Sequence, residues 1–321
     1  MVKSLNEINI GQTEKIYVLC KECIKDIARN GKEYQRVIIT DLNTEDKTAM
    51  IFNNLIDFDN PVVLKATIQV DEYQGTKSYI ITECEKTNDI EISKFMPKAK
   101  IDVKESWQKF VGYIKSLPDD YEKLVCSLID TKRFPVAPLT VAGPFSRQSG
   151  ILEFTLKMIE MSMDYAKLGH VNKDILVTAC MLCNIGVCDT ISSAYTYTPD
   201  DVLIGPAIKS YAEIYNKAKE LSNSEKDEEK INISKEELDM ICHVVLSTCR
   251  GFSPAILEGT IIKNLDMTLR EMDSILNSLE GVKECSIING INTKSKRLYK
   301  SKVVTKESVP EAEEIPPTEV E

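Results

Sequence analysis

The chain has 321 residues and a formal net charge of −10, from 40 Lys and Arg against 50 Asp and Glu. That length supports two domains with real cores, and the acidic balance argues against broad, salt-driven binding to nucleic acid without excluding one local groove. No apolar run approaches the ~20 residues that span a bilayer, and Met1–Glu7 has no apolar signal core, so the expected location is the cytoplasm, with the ten cysteines as reduced thiols.

From about residue 12 to 87 the pattern is β. Lys15–Cys20 opens a strand, Asn30-Gly31-Lys32 marks a turn, and Glu33–Thr40 alternates polar and apolar side chains at period two. After the polar loop Asp41–Asp46, Thr48–Phe52 resumes extended structure. Val62–Val70 is a fourth strand, which Gln74-Gly75 turns into Ser78–Thr82. Five short strands in about 75 residues predict a small closed barrel, and the OB-fold is the commonest five-stranded version.

Residues 88–104 are polar, carry Pro97 and read as a linker. From Trp107 the spacing turns helical: Phe110, Tyr113, Ile114 and Leu117 fall on one face, and Pro118-Asp119-Asp120 starts a helix carrying Leu124, Leu128 and Ile129. Pro135 and Pro138 break the pattern before a helix over about 149–168. Lys173-Asp174 opens a helix over 175–186 that Gly186 is expected to end. Further helices are predicted over 200–222, 235–249 and 267–280, with a charged loop at 223–229. The Pro- and Glu-rich tail 303–321 reads as disordered, and no repeats occur.

Several stretches carry a resemblance. Asn30-Gly31-Lys32-Glu33-Tyr34 with Asp41, Ala49-Met50-Ile51-Phe52, Phe95-Met96-Pro97, Ser149–Thr155, Leu182–Val187, Thr196-Tyr197-Thr198, His243–Gly251 and Leu298-Tyr299-Lys300 follow one another in a family-like order. In that order and spacing the chain resembles the YhaM-type 3′-5′ exoribonucleases of Gram-positive bacteria, which join an OB barrel to a helical HD-superfamily phosphohydrolase domain. The resemblance implies a multidomain β + α protein. Its expected parts are an OB-type barrel over 1–88, a linker over 89–105, an all-α HD-like domain over 106–302 and the tail.

The departures fall on one feature. The family resemblance implies His and Asp side chains converging on divalent metals that activate water. Here Phe154 stands for a His, Cys183-Asn184 for the His-Asp pair and Val187 for the following Lys. Pro206 replaces a His in Ile204-Gly205-Pro206, Thr248-Cys249 replaces a His-His pair, and so does Pro144-Phe145 upstream. Only Asp266, in Asn264-Leu265-Asp266, keeps its identity. Phe, Pro and Val cannot coordinate metal, and an Asn amide is a poor substitute for a bridging carboxylate. With two His in the chain, a His-based dimetal site cannot be rebuilt elsewhere.

These vestigial positions lead to the expectation of no catalytic residues, no cofactor and an inactive paralogue. A rewired manganese or zinc site on Cys183, Cys249 and Asp266, with residual exonuclease or phosphohydrolase activity that also uses His243, is the enzymatic alternative. Against it, Cys can fill the space of a lost His as a small hydrophobe, and His243 reads as a hydrogen-bonded helix residue. The two C-x-x-C pairs, Cys20/Cys23 and Cys180/Cys183, fall in different predicted domains and read as coincidence. On the barrel, Arg36, Phe52, Tyr73, Lys77 and Tyr79 resemble the cations and rings on which single strands lie, although some of these rings could instead be packing. The expected function is single-stranded RNA or DNA binding on the barrel, with the helical domain as a scaffold. Partners would be a second copy or an active exoribonuclease of the same family, and no membrane. A purely structural interaction module is the remaining alternative.

Overall fold

The computed structural model describes residues 4–28, 31–43, 46–58, 61–291 and 293–302. The expected turn at Asn30 and the acidic tail lie wholly or partly outside them. Strands β1 (Thr13–Ile27), β2 (Glu33–Thr40), β3 (Asp46–Ile51), β4 (Val62–Tyr73) and β5 (Thr76–Lys86) close a barrel in the order β1-β2-β3-β5-β4. All pairs are antiparallel except β3 with β5, which run parallel. This is the five-stranded OB-type arrangement that the strand count predicted.

β1 is more than twice as long as its opening run Lys15–Cys20. A bulge between Cys20 and Glu22 bends it, so that Thr13–Cys20 pairs with β4 and Leu19–Ile27 with β2. At the β4–β5 turn, Gln74 and Gly75 both take positive φ, 51° and 77°, the hairpin geometry that matches strand twist. Val18, Val37, Ile39, Ala49, Leu64, Ile68 and Ile81 fill the interior. The segment before β1 adds Leu5 and Ile8 to that core. Leu5 N–H donates to Asp41 Oδ2 at 2.6 Å, and Lys77 Nζ donates to the carbonyls of Asn6 and Ile8 at 2.9 and 2.7 Å.

The stretch read as a polar linker contains a 3-10 turn, Ile92–Phe95, whose Phe95 is buried against Leu19 and Val63. Gln148 ties it to the next helices: its N–H donates to Pro97 O at 2.8 Å, and its side-chain amide reaches Ser93 O.

The helical region holds α1 (Val103–Ile114), α2 (Asp119–Leu128), α3 (Gly150–Ala166), α4 (Lys173–Leu182), α5 (Val187–Thr190), α6 (Pro199–Leu203), α7 (Pro206–Ser222), α8 (Lys235–Leu246) and α9 (Leu257–Leu279). α4 is apolar almost all round and buried from Ile175 to Leu182, packed on α3 and α8, the pattern of a central helix. Side-chain caps fix the starts of α1, α4 and α8: Asp102, Asn172 and Ser234 each accept backbone N–H groups of the first turn.

Three boundaries differ from expectation. α4 ends at Leu182, and Gly186 is not its left-handed cap, since its φ is −60°. A Cβ on Gly186 would lie 2.4 Å from Pro206 O, so glycine is there to let the start of α7 approach. The helix predicted over 200–222 breaks at Gly205, φ 81°, just before Pro206 starts α7. α9 begins ten residues before the expected 267.

Residues up to Leu269 form one compact unit and those from Arg270 a second. In the second unit the end of α9 is followed by a hairpin, β6 (Ser286–Asn289) with β7 (Arg297–Lys300).

Candidate functional site

The outward face of β2 and β3 follows from alternation. On β2, Gln35, Val37 and Ile39 point inward, and Gln35 exchanges two hydrogen bonds with the backbone of Ile56, at 2.6 and 2.8 Å. Tyr34 and Arg36 therefore share the outer face. Arg36 lies opposite Met50 of β3 and Ile24 of β1. Phe52, just past β3, is 48% exposed, and its ring centroid lies 5.8 Å from that of Tyr34 at an interplanar angle of 32°. The Tyr34 hydroxyl donates to Asp26 Oδ2 at 3.1 Å, and that bond raises the phenol's pKa.

The five residues expected on this surface separate. Arg36 and Phe52 come together around Tyr34, which sequence reasoning missed although its parity with Arg36 marks the shared face. Tyr73 is exposed at the far end of β4. Lys77 is occupied by the carbonyls of Asn6 and Ile8. Tyr79 is 6% exposed and packs in the barrel core, so its ring is not available on the outside. Arg36 also has acidic company: residues 1–88 carry 11 Lys and Arg against 14 Asp and Glu.

In the helical region, the positions that the resemblance assigns to metal ligands are filled with packing. Phe145 and Phe154, both buried, meet edge to face with ring centroids 5.1 Å apart. Arg147 stacks over the Phe145 ring at 4.7 Å, and its Nε donates to Glu153 Oε2 at 2.8 Å. Lys157 donates to the other Glu153 oxygen at 2.6 Å. Burial alone would raise the Glu153 pKa, but the two cations outweigh it and hold the carboxyl below its ordinary value. One helical turn beyond Phe154, Met158 Sδ lies 3.9 Å from the buried Cys183 Sγ, which also accepts the Asn184 amide at 3.1 Å. Ser210 Oγ accepts Gly186 N–H at 2.9 Å and lies within hydrogen-bond reach of the carbonyls of Cys183 and Pro206. This knits the Cys183–Val187 segment to the start of α7.

Among the described residues, the other positions that the resemblance assigns to ligands do not join Cys183 in a metal-binding set. His243 accepts Ala255 N–H through Nε2 at 2.8 Å and packs edge to face on Phe252. It borders an open groove of about 530 Å³ with Lys235, Glu236, Asp239, Met240 and Ile256. Thr248 Oγ1 donates to Val245 O, and burial raises the Cys249 thiol. Asp266 is buried on α9. Among the described residues, no three His, Cys, Asp or Glu side chains stand close enough together to hold a metal ion. Among the described residues no two cysteines form a disulfide, and burial pushes Cys20, Cys180, Cys188 and Cys242 up to about 12. Such thiols stay protonated at neutral pH. Among the described residues no helix is long and apolar enough to cross a membrane.

The 3′-5′ exoribonuclease YhaM of Listeria innocua serovar 6a and that of Listeria monocytogenes serotype 4b are each 23% identical to the chain over 300 residues, 88% of this chain and 91% of theirs. No family model matches the chain, and no solved structure matches it.

Proposed function

We propose that the chain is a YhaM-like protein that has lost metal-dependent hydrolysis, holds single-stranded RNA or DNA on its barrel and uses the helical region as an interaction scaffold. The observation that carries this reading is the Phe145–Phe154 pair. Two positions that the resemblance assigns to His ligands meet as hydrocarbon, ring edge to ring face, and hydrocarbon offers a metal no lone pair. The distant likeness to two exoribonucleases along nearly their whole length supports an inherited scaffold. On the barrel, the Tyr34 and Phe52 rings beside the Arg36 guanidinium supply stacking and one phosphate contact, the chemistry by which OB barrels hold single strands. A second copy or an active exoribonuclease of the same family would dock on the helical scaffold, and thiols outside disulfides suit the reducing cytoplasm.

The test is a labelled single-stranded RNA incubated with the protein and manganese, read for shortening and mobility shift on one gel. The expected result is an intact, shifted RNA whose shift weakens when Tyr34 and Phe52 are both changed to Ala. Lost stacking of about 1–3 kcal/mol per base sets the scale. Stepwise shortening from the 3′ end, abolished by Asp266→Ala, would overturn the loss of hydrolysis. An RNA neither cut nor shifted would overturn the binding role.

A further inference from the structure

The strongest local charge contrast in this acidic chain lies near its C-terminal end. From Lys283 to Lys302 stand six Lys and Arg and one acid, Glu284. Strands β6 and β7 fold this segment so that Ile287 lies opposite Tyr299, and Asn289 opposite Arg297. Residues opposite one another in an antiparallel pair share a face, so these four form one surface. All four are exposed, Tyr299 at 57% and Ile287 at 71%. The opposite face is the anchored one. There Leu298 is buried and Ile288 half-buried, and Lys300 Nζ donates to Leu279 O at the end of α9, 3.1 Å away. The loop joining the strands is held by Lys294 N–H on Glu271 Oε1 at 2.9 Å and by Ser278 Oγ against the Ile291 backbone.

Lys294, Lys296, Arg297 and Lys302 are exposed, and among the described residues no carboxylate pairs with any of them. Uncompensated cations around an exposed ring on a firm two-stranded face form a surface for a polyanion with flat groups along it. Cations meet phosphates and release their counterions, and the phenol ring offers a stacking platform. A lipid surface fits less well, because interfacial binding favours a continuous amphipathic helix with a broad apolar face.

We propose that the β6–β7 hairpin is a second nucleic-acid site, in which Lys294, Lys296 and Arg297 contact phosphates of a single strand and Tyr299 stacks on a base. It does not depend on the barrel's binding role.

Fluorescence anisotropy of a labelled oligouridylate against the full chain, repeated across a salt titration, tests it. Changing Lys294, Lys296 and Arg297 together to Gln is expected to weaken binding at least tenfold. It should also flatten the dependence of log K on log salt by about 2, at roughly 0.7 per lost phosphate contact. Tyr299→Ala should weaken binding about 5- to 100-fold while keeping the slope. The pair Lys296→Arg with Arg297→Lys, which keeps the charge, should retain it. Unchanged affinity and slope in the triple variant would overturn the proposal. If the Tyr34 and Phe52 variant alone loses binding, the hairpin is not a site and the barrel is. If the hairpin variants alone lose it, the hairpin stands without the barrel. An unaltered chain that ignores the oligonucleotide but sediments with phosphatidylserine vesicles would also overturn it.

Discussion

Changing Phe154 to Ala deletes a fully buried ring together with its edge-to-face partner contact. The expected cost is about 3–5 kcal/mol of stability, read as a lower urea midpoint. A ligand residue in a working metal site would give a different result, with activity lost and stability little changed. Lys77 is the converse case. Its chemistry suggests a phosphate contact, but its ammonium holds the carbonyls of Asn6 and Ile8. Lys77→Ala should cost about 1 kcal/mol of stability and leave oligonucleotide affinity as it was, to be checked by urea melts alongside anisotropy. Residue types alone could not separate Arg36 from Lys77, because the distinction rests on partners far away in sequence. The parity of alternation could, in principle, have linked Tyr34 to Arg36 and moved Tyr79 to the inner face with Ile81.

At the scale of elements, α5 and α7 meet through carboxyls. Glu213 of α7 faces Asp189 of α5 in a cavity of about 130 Å³ that Asp130, Arg133 and Cys188 also line. Burial first, and then the hydrogen bond and charge of Asp189, raise Glu213 from 4.5 to about 7 against the opposing pull of Lys209. The folded chain therefore holds this proton more tightly than the unfolded chain. Stability conferred by it is present below about 4.5 and is lost as pH rises to about 7. Glu213→Gln should flatten that stretch of the stability profile, measured by thermal melts across pH. At the neighbouring turn, Gly186→Ala would drive a methyl onto Pro206 O. A loss of about 1–3 kcal/mol is expected, visible as a lower melting temperature. Apolar spacing showed that these helices exist. Their ends were harder to read, because Gly186 ends nothing and is a glycine for the sake of a residue twenty positions on.

For the molecule as a whole, the absence of a gathered ligand set among the described residues predicts indifference to metals. Adding manganese, zinc or a chelator should leave the melting temperature unchanged, whereas a site that helped hold the fold would shift it. The net charge of −10 predicts that any nucleic-acid binding depends on local patches and falls steeply with salt.

Alternation and helical spacing are properties of neighbouring residues, so the sequence alone determined the five strands of the barrel and a following helical region. Which side chains meet is a property of distant ones. Only the tertiary structure decided that Phe145 packs on Phe154, that Phe52 finds Tyr34 rather than Tyr79, and that the late basic run becomes a hairpin with one anchored and one open face. Contact between such residues depends on strand order, bulges and close backbone approaches, which no local pattern encodes.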